Sequence, residues 1–284
     1  MTKFNILNLV LFVIVISLAF IIYYSEEEDT RLLQLTDIDL NHVNSIRINH
    51  NKNSTSLIKH DDGHWWITQP VSVAANDFRI GSILKLLNAP IHNQYPLSEV
   101  DIDKVGLADA ATTVELDDTM IYFGIVNPAT NLRYIRLNQT VFTIEDVYYP
   151  LISANFSALV SLNLLSANDN IEKLVLINQT IDKDDDGLWR SNITISADNI
   201  VRTIEHWQSQ QAFGVHEYLQ RDELGEVSIY IKGQAQPVNY IISDTDPWLI
   251  LARPDIGLEY HLDIEAYELL ISPVDNIENS TSAQ

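Results

Sequence analysis

Lys59-His60-Asp61-Asp62-Gly63-His64-Trp65 returns later in the chain as Lys183-Asp184-Asp185-Asp186-Gly187-Leu188-Trp189. Each copy follows a segment that alternates apolar and polar residues for part of its length, Val43–Asn49 before the first and Ile171–Ile177 before the second. Such alternation is the period of a half-buried strand, and Asp-Gly supplies the positive φ that a tight hairpin turn needs. After each Trp comes a short extended stretch and then an amphipathic run. The first run starts near Ala75-Asn76-Asp77 and carries Ile80, Ile83, Leu84 and Leu87 on one face. The second is capped by Ser196 or Asp198 and carries Ile200, Ile204 and Trp207. These spacings predict two helices.

The parallel reaches the ends of the copies. The segment from Phe142 to Ser153 resembles that from Tyr260 to Ser272, with one residue more in the second. Between these landmarks, strands are predicted over 113–116, 120–123, 134–137 and 141–144, and over 227–231, 238–242 and 248–251. The sequence therefore reads as a duplication. The expected fold class is α+β: a single N-terminal transmembrane helix, then two tandem modules of antiparallel strands with a packed helix. The expected division is an anchor over residues 1–25, modules over 26–165 and 166–273, and a disordered tail over 274–284.

The anchor expectation rests on residues 6–24, which carry no charge. At a rise of about 1.5 Å per residue they cover roughly 28 Å, close to the hydrocarbon thickness of a bilayer. Lys3 precedes the stretch and Glu26-Glu27-Glu28-Asp29 follows it. The positive-inside bias then puts the N-terminus in the cytoplasm and the modules in the periplasm, with residues 6–24 in the lipid of the inner membrane. A cleaved signal peptide at Ser17-Leu18-Ala19 is the rival reading, but it leaves five apolar residues on the mature end.

Of the 284 residues, 17 are Lys or Arg and 39 are Asp or Glu, a net charge of −22. That balance speaks against nucleic acid as a partner, since phosphate contacts need a basic face. The chain has no cysteine, which excludes disulfides, thiolate metal sites and cysteine nucleophiles. No G-x-S-x-G, S-x-x-K or phosphate-binding glycine loop occurs. Asp182, Asp184, Asp186 and Gly187 match the opening of a calcium loop, but the twelfth position holds Ile193 rather than a bidentate Glu. A hairpin turn accounts for both copies, and calcium for one. His60 and His64 flank the turn and so lose the helical argument for a metal pair. No catalytic, metal or cofactor residue is expected, and the chain reads as a non-enzyme. Trp66 points away from the Trp65 face and is matched by Arg190 in the second copy. It either anchors a partner or packs under a strand of its own module.

The order of residues in the first copy resembles a widespread bacterial family of unknown function. The carrying pieces are Asp62-Gly63-His64-Trp65 with Ile67 and Pro70, Ala75-Asn76, Gly106-Leu107 ahead of Thr113-Val114, Phe123-Gly124, Asn127-Pro128 and Arg133-Tyr134. They span roughly residues 43–180, and Val105 stands where the family often has Tyr. The resemblance implies a membrane-anchored extracytoplasmic protein, in some relatives found beside ABC-type transport and gliding-motility auxiliary proteins. It implies no catalytic residues. The expected function is an accessory scaffold that binds a membrane protein complex, with Trp66, Arg133 and Tyr134 as candidate partner surface. The alternative is a binding module for a small molecule or cell-wall fragment in the cleft between the copies. A hydrolase with an unrecognised carboxylate pair is the third reading.

Overall fold

Alternation of apolar with polar side chains puts Ile46, Ile48, Leu57, Val114, Leu116, Ile121, Phe123 and Ile135 on one face of a sheet, and all of them are buried. The computed structural model describes residues 10–18, 20, 32–166, 168–184 and 186–273. The first sheet comprises β1 (Ser45–His50), β2 (Asn53–Lys59), β3 (Trp65–Gln69), β4 (Val73–Ala74), β5 (Asn93–Pro96), β6 (Thr112–Leu116), β7 (Thr119–Val126), β8 (Leu132–Leu137) and β9 (Thr140–Glu145). The second comprises β10 (Ile171–Val175), β11 (Thr180–Lys183), β12 (Trp189–Ser191), β13 (Gly214–Glu217), β14 (Gly225–Ile231), β15 (Val238–Asp244), β16 (Trp248–Arg253) and β17 (Leu258–Asp263).

The strand orders are β4-β3-β2-β1-β6-β7-β8-β9-β5 and β12-β11-β10-β14-β15-β16-β17-β13. Apart from β4, the two orders correspond place for place, and the named neighbours pair antiparallel. Trp65 pairs with Lys59 and Trp189 with Lys183, so the repeated hairpins share one register. Their loops are longer than the two-residue turn the sequence suggests. His60 N–H donates to the His64 carbonyl, and Gly63 takes φ 89°. Gly187 does the same in the second copy at φ 78°.

Among the described residues from 32 onward, short α-helices accompany the sheets: α1 (Asp77–Leu84), α2 (Tyr149–Ile152), α3 (Ala197–Ser209) and α4 (Ala266–Leu270). Asn76 caps α1 by accepting from Arg79 N–H, and Ser196 caps α3 by accepting from Asn199 N–H, which satisfies donors that a helix start leaves open. The apolar faces of α1 and α3 turn inward, burying Ile80, Ile83 and Leu84 in one and Ile200, Ile204 and Trp207 in the other.

These elements correct the α+β expectation. The protein is mostly antiparallel β, two sheets with a few helices, the longest of these helices having 13 residues. Backbone pairing between many short strands organises the chain, and each main helix only lids one sheet. The transmembrane expectation is corrected too: among the described residues, no helix is long and apolar enough to cross a membrane. Residues 10–18 and 20 are helical. The rest of the 6–24 stretch lies outside the described residues, as does the 274–284 tail.

One apolar cluster runs through both sheets, from Ile46, Ile67 and Leu86 by way of Leu159, Val160, Leu164 and Leu165 to Ile171, Trp207 and Leu251. The connector between the sheets is stitched to both sides. Asn76 N–H donates to the Leu159 carbonyl and Ser161 N–H to that of Ala74, while Ala212 N–H donates to that of Leu162. The Tyr240 hydroxyl donates to the Leu164 carbonyl.

Each outer face is crossed by the loop that returns from the edge strand to the middle of the sheet. Over the first sheet, Leu107 is buried against Gly124, where an added Cβ would sit 2.2 Å from the Val105 carbonyl oxygen. Only glycine allows that approach. Over the second, the loop at 218–224 is tied to Glu259 of β17.

Candidate functional site

Where the two sheets meet above the connector, they leave a cleft of about 340 Å³. Trp66 of β3 and Val73 and Ala74 of β4 form one wall, Arg253 of β16 and Tyr260 of β17 the other, and Ser161 to Ser166 of the connector line it between them. The strand period that buries Trp65 in the core turns Trp66 the other way. Trp66 is half-buried, its Nε1–H donates to Ser72 Oγ at 2.8 Å, and its ring stacks on His60 at 5.5 Å and 12°. Arg253 is held in a bidentate pair by Asp255 at 2.9 and 2.7 Å. Burial pushes the Asp255 carboxyl up, and the guanidinium outweighs it, so the carboxyl stays below its ordinary value.

The other two candidate residues do not join Trp66. Arg133 is 8% exposed and turned into the fold. Its guanidinium pairs with Asp146, donates to the Gly124 carbonyl and lies 3.5 Å over the ring of Tyr149. Its donors are thus spent inside the fold. Tyr134 is half-buried, and its hydroxyl accepts from Asn127 Nδ2 at 2.9 Å. Gly106-Leu107, Gly124, Asn127 and Arg133-Tyr134, separate in sequence, thus gather where the first crossing loop is fastened. They act there as supports.

A second group, not found from the sequence, stands on the outer face of the second sheet. Phe213 and Trp248 are 49% and 46% exposed and pack edge to face at 5.5 Å. Beside them His261 lies 4.5 Å from His216, ring centre to ring centre. Beneath, Glu259 is 1% exposed and accepts from Arg221 Nη1 and Nη2, from Leu219 N–H and from His261 Nε2. Burial pushes the Glu259 carboxyl up, and these donors together hold it below its ordinary value. The available signal was Glu259 and His261 alternating on a strand whose counterparts by alignment of the module ends are Val141 and Thr143. Polar residues on a buried face require partners.

The turn residues have structural partners. Asp184 accepts from Leu188 N–H, Asp186 N–H and Arg190 Nε, contacts that lower its pKa and organise a hairpin. Among the described residues, no group of three or more His, Asp or Glu side chains is arranged to hold a metal ion. Glu115 and Asp117 line a shallow hollow, where Glu115 pairs with Arg47 and Asp117 accepts from Ser45.

His64 Nδ1 lies 2.6 Å from Asp77 Oδ2, and the other Asp77 oxygen accepts from Trp65 N–H at 2.8 Å. The bond to Asp77 holds His64 above its ordinary imidazole value, with Asp62 adding to it. A raised folded pKa means that the stabilisation is complete below the unfolded value of about 6.5. It is lost as pH rises through the folded value. An NMR titration of His64 should therefore give a midpoint above that of a free imidazole, falling back in Asp77→Asn. Because the pair is exposed, the global stability should hardly follow.

Residues 65–199 match the family described as "Domain of unknown function (DUF4340)". The match opens at Trp65 in β3 and closes inside α3, so it takes in Trp66, the first crossing loop and the connector. No curated protein matches the chain, and no solved structure does.

Proposed function

We propose that this protein is a non-catalytic scaffold that docks another protein on the Phe213–Trp248 face of its second sheet. The observation that carries the reading is the half-exposed aromatic pair, set on a β face over the buried Glu259 and its partner Arg221. Aromatic anchors on a fixed support are the usual centre of a binding hot spot. Asp263, directly opposite Trp248 in the strand pairing, is exposed beside the pair, so the matching surface presents an apolar pocket with a basic group at its rim. The resemblance described above is the ground for an extracytoplasmic location and for a partner among envelope or ABC-type transport subunits.

The test is affinity capture of tagged full-length protein from crosslinked, gently solubilised membranes. Specific companions should be recovered with the wild type and lost with the Phe213→Ala/Trp248→Ala double variant, whose circular dichroism should match the wild type. Equal recovery with the double variant, or none with the wild type, overturns the reading.

A further inference from the structure

We propose that the cleft between the two sheets binds a neutral polyhydroxylated molecule, a mono- or disaccharide, with the ring of Trp66 as its stacking platform. This inference is independent of the protein-docking reading, since the cleft and the Phe213–Trp248 face share no residue.

The volume of about 340 Å³ falls within the roughly 300–1,000 Å³ of small-molecule sites. The chemistry of the lining narrows the class. Ser72, Ser161, Asn163 and Gln234 offer uncharged hydroxyl and amide groups, and Asp169, the one carboxylate in the lining, accepts from Ser166 N–H. A purely apolar ligand would strip water from them without replacing its hydrogen bonds. Arg253 is the one cation among the lining residues, and Asp255 already engages it in two bonds. With a net charge of −22 on the chain and the Asp169 carboxylate in the lining, an anionic ligand meets an unfavourable field. Hydroxyl and amide groups around an aromatic ring suit a sugar, whose hydroxyls bond in its plane and whose C–H faces lie on the ring.

Trp66 is prepared for that role. Its only polar atom is engaged by Ser72, and His60 covers one face of the indole. What remains to the cleft is apolar ring surface held in a fixed orientation. The comparison between copies isolates the same residue. Trp66 and Arg190 each follow the equivalent Trp in equivalent strands, yet Arg190 is well exposed and paired with Asp184. The position at which the repeated hairpins diverge from Trp to Arg is the one that faces the cleft.

Thermal-shift and tryptophan-fluorescence titrations of the purified full-length protein test this, with glucose, maltose, cellobiose and N,N′-diacetylchitobiose as probes and glucose 6-phosphate as the charged control. At least one neutral sugar should raise the melting temperature by roughly 2–4 °C at saturation and change the fluorescence. Trp66→Ala should weaken its binding at least tenfold, and Trp66→Phe by less than threefold. Gln234→Ala, at an exposed rim position, gives a second variant that cannot disturb the core and should weaken binding several-fold. No shift with any neutral sugar, unchanged binding in both Trp66→Ala and Gln234→Ala, or tighter binding of glucose 6-phosphate than of glucose overturns the proposal.

Discussion

Trp207→Ala should lower the unfolding free energy by about 4 kcal/mol, within the range for a buried aromatic. Trp207 is fully buried on α3, its ring lies 5.7 Å from that of Tyr240, and its Nε1–H donates to the Leu270 carbonyl at 2.9 Å. The substitution removes apolar contact, opens a cavity and leaves a buried carbonyl at α4 without its donor. It also loosens Tyr240, whose hydroxyl bonds to the connector at Leu164. The damage therefore spreads from the lid of the second sheet to the seam between the sheets. Trp207→Phe keeps most of the volume and should cost about 1–2 kcal/mol, mainly for the lost hydrogen bond. Urea unfolding checks both, and a loss below about 2 kcal/mol for the alanine variant would show that the site collapses around the missing ring.

The second large effect is expected at Glu259. Glu259→Gln should cost about 3 kcal/mol at neutral pH, because it leaves the Arg221 guanidinium without a counter-charge where it packs over the sheet. The pH dependence identifies the cause. With a folded pKa held below the ordinary value, the ionised Glu259 contributes stability that is complete above the unfolded glutamate value of about 4.3. That contribution is lost as pH falls through the folded value. Wild type and variant should thus differ most at pH 7 and converge towards pH 3. A gap of the same size at both values would assign the loss to packing. Hydrogen exchange at Leu219, whose N–H donates to Glu259, should speed up in the variant as the crossing loop detaches.

Much of this architecture is legible in the sequence, and the limits have physical causes. The strands predicted over 113–116, 120–123 and 227–231 lie inside β6, β7 and β14, because central strands of half-buried sheets keep the two-residue period. The caps at Asn76 and Ser196 are local hydrogen bonds, written in adjacent residues. The edge strands β5 and β13 left no such trace. Asn93 to Pro96 are exposed throughout, and this strand is fixed by backbone pairing to β9, which no side chain announces. The weight given to the helical runs suggested an α+β protein, since periodicity shows that a helix exists and not how much sheet it covers. Arg133 looked like surface because charge usually is. Its burial depends on Asp146 and on the Gly124 carbonyl, neither visible as a partner before the chain folds. The Phe213–Trp248 face has the same character, with two residues far apart in sequence joined by the pairing of β13, β17 and β16.

The brevity of the outermost strands bears on how this protein can assemble. β4 has two residues, β12 three, and β5 ends on Pro96, which has no N–H to donate. Little unpaired backbone is offered at these margins for another chain to continue the ladder. Growth by sheet extension, the route to fibres and to strand-swapped oligomers, is therefore disfavoured at these margins. The broad faces and the cleft are by contrast built of side chains, which substitution can change without altering the pairing that holds each sheet together.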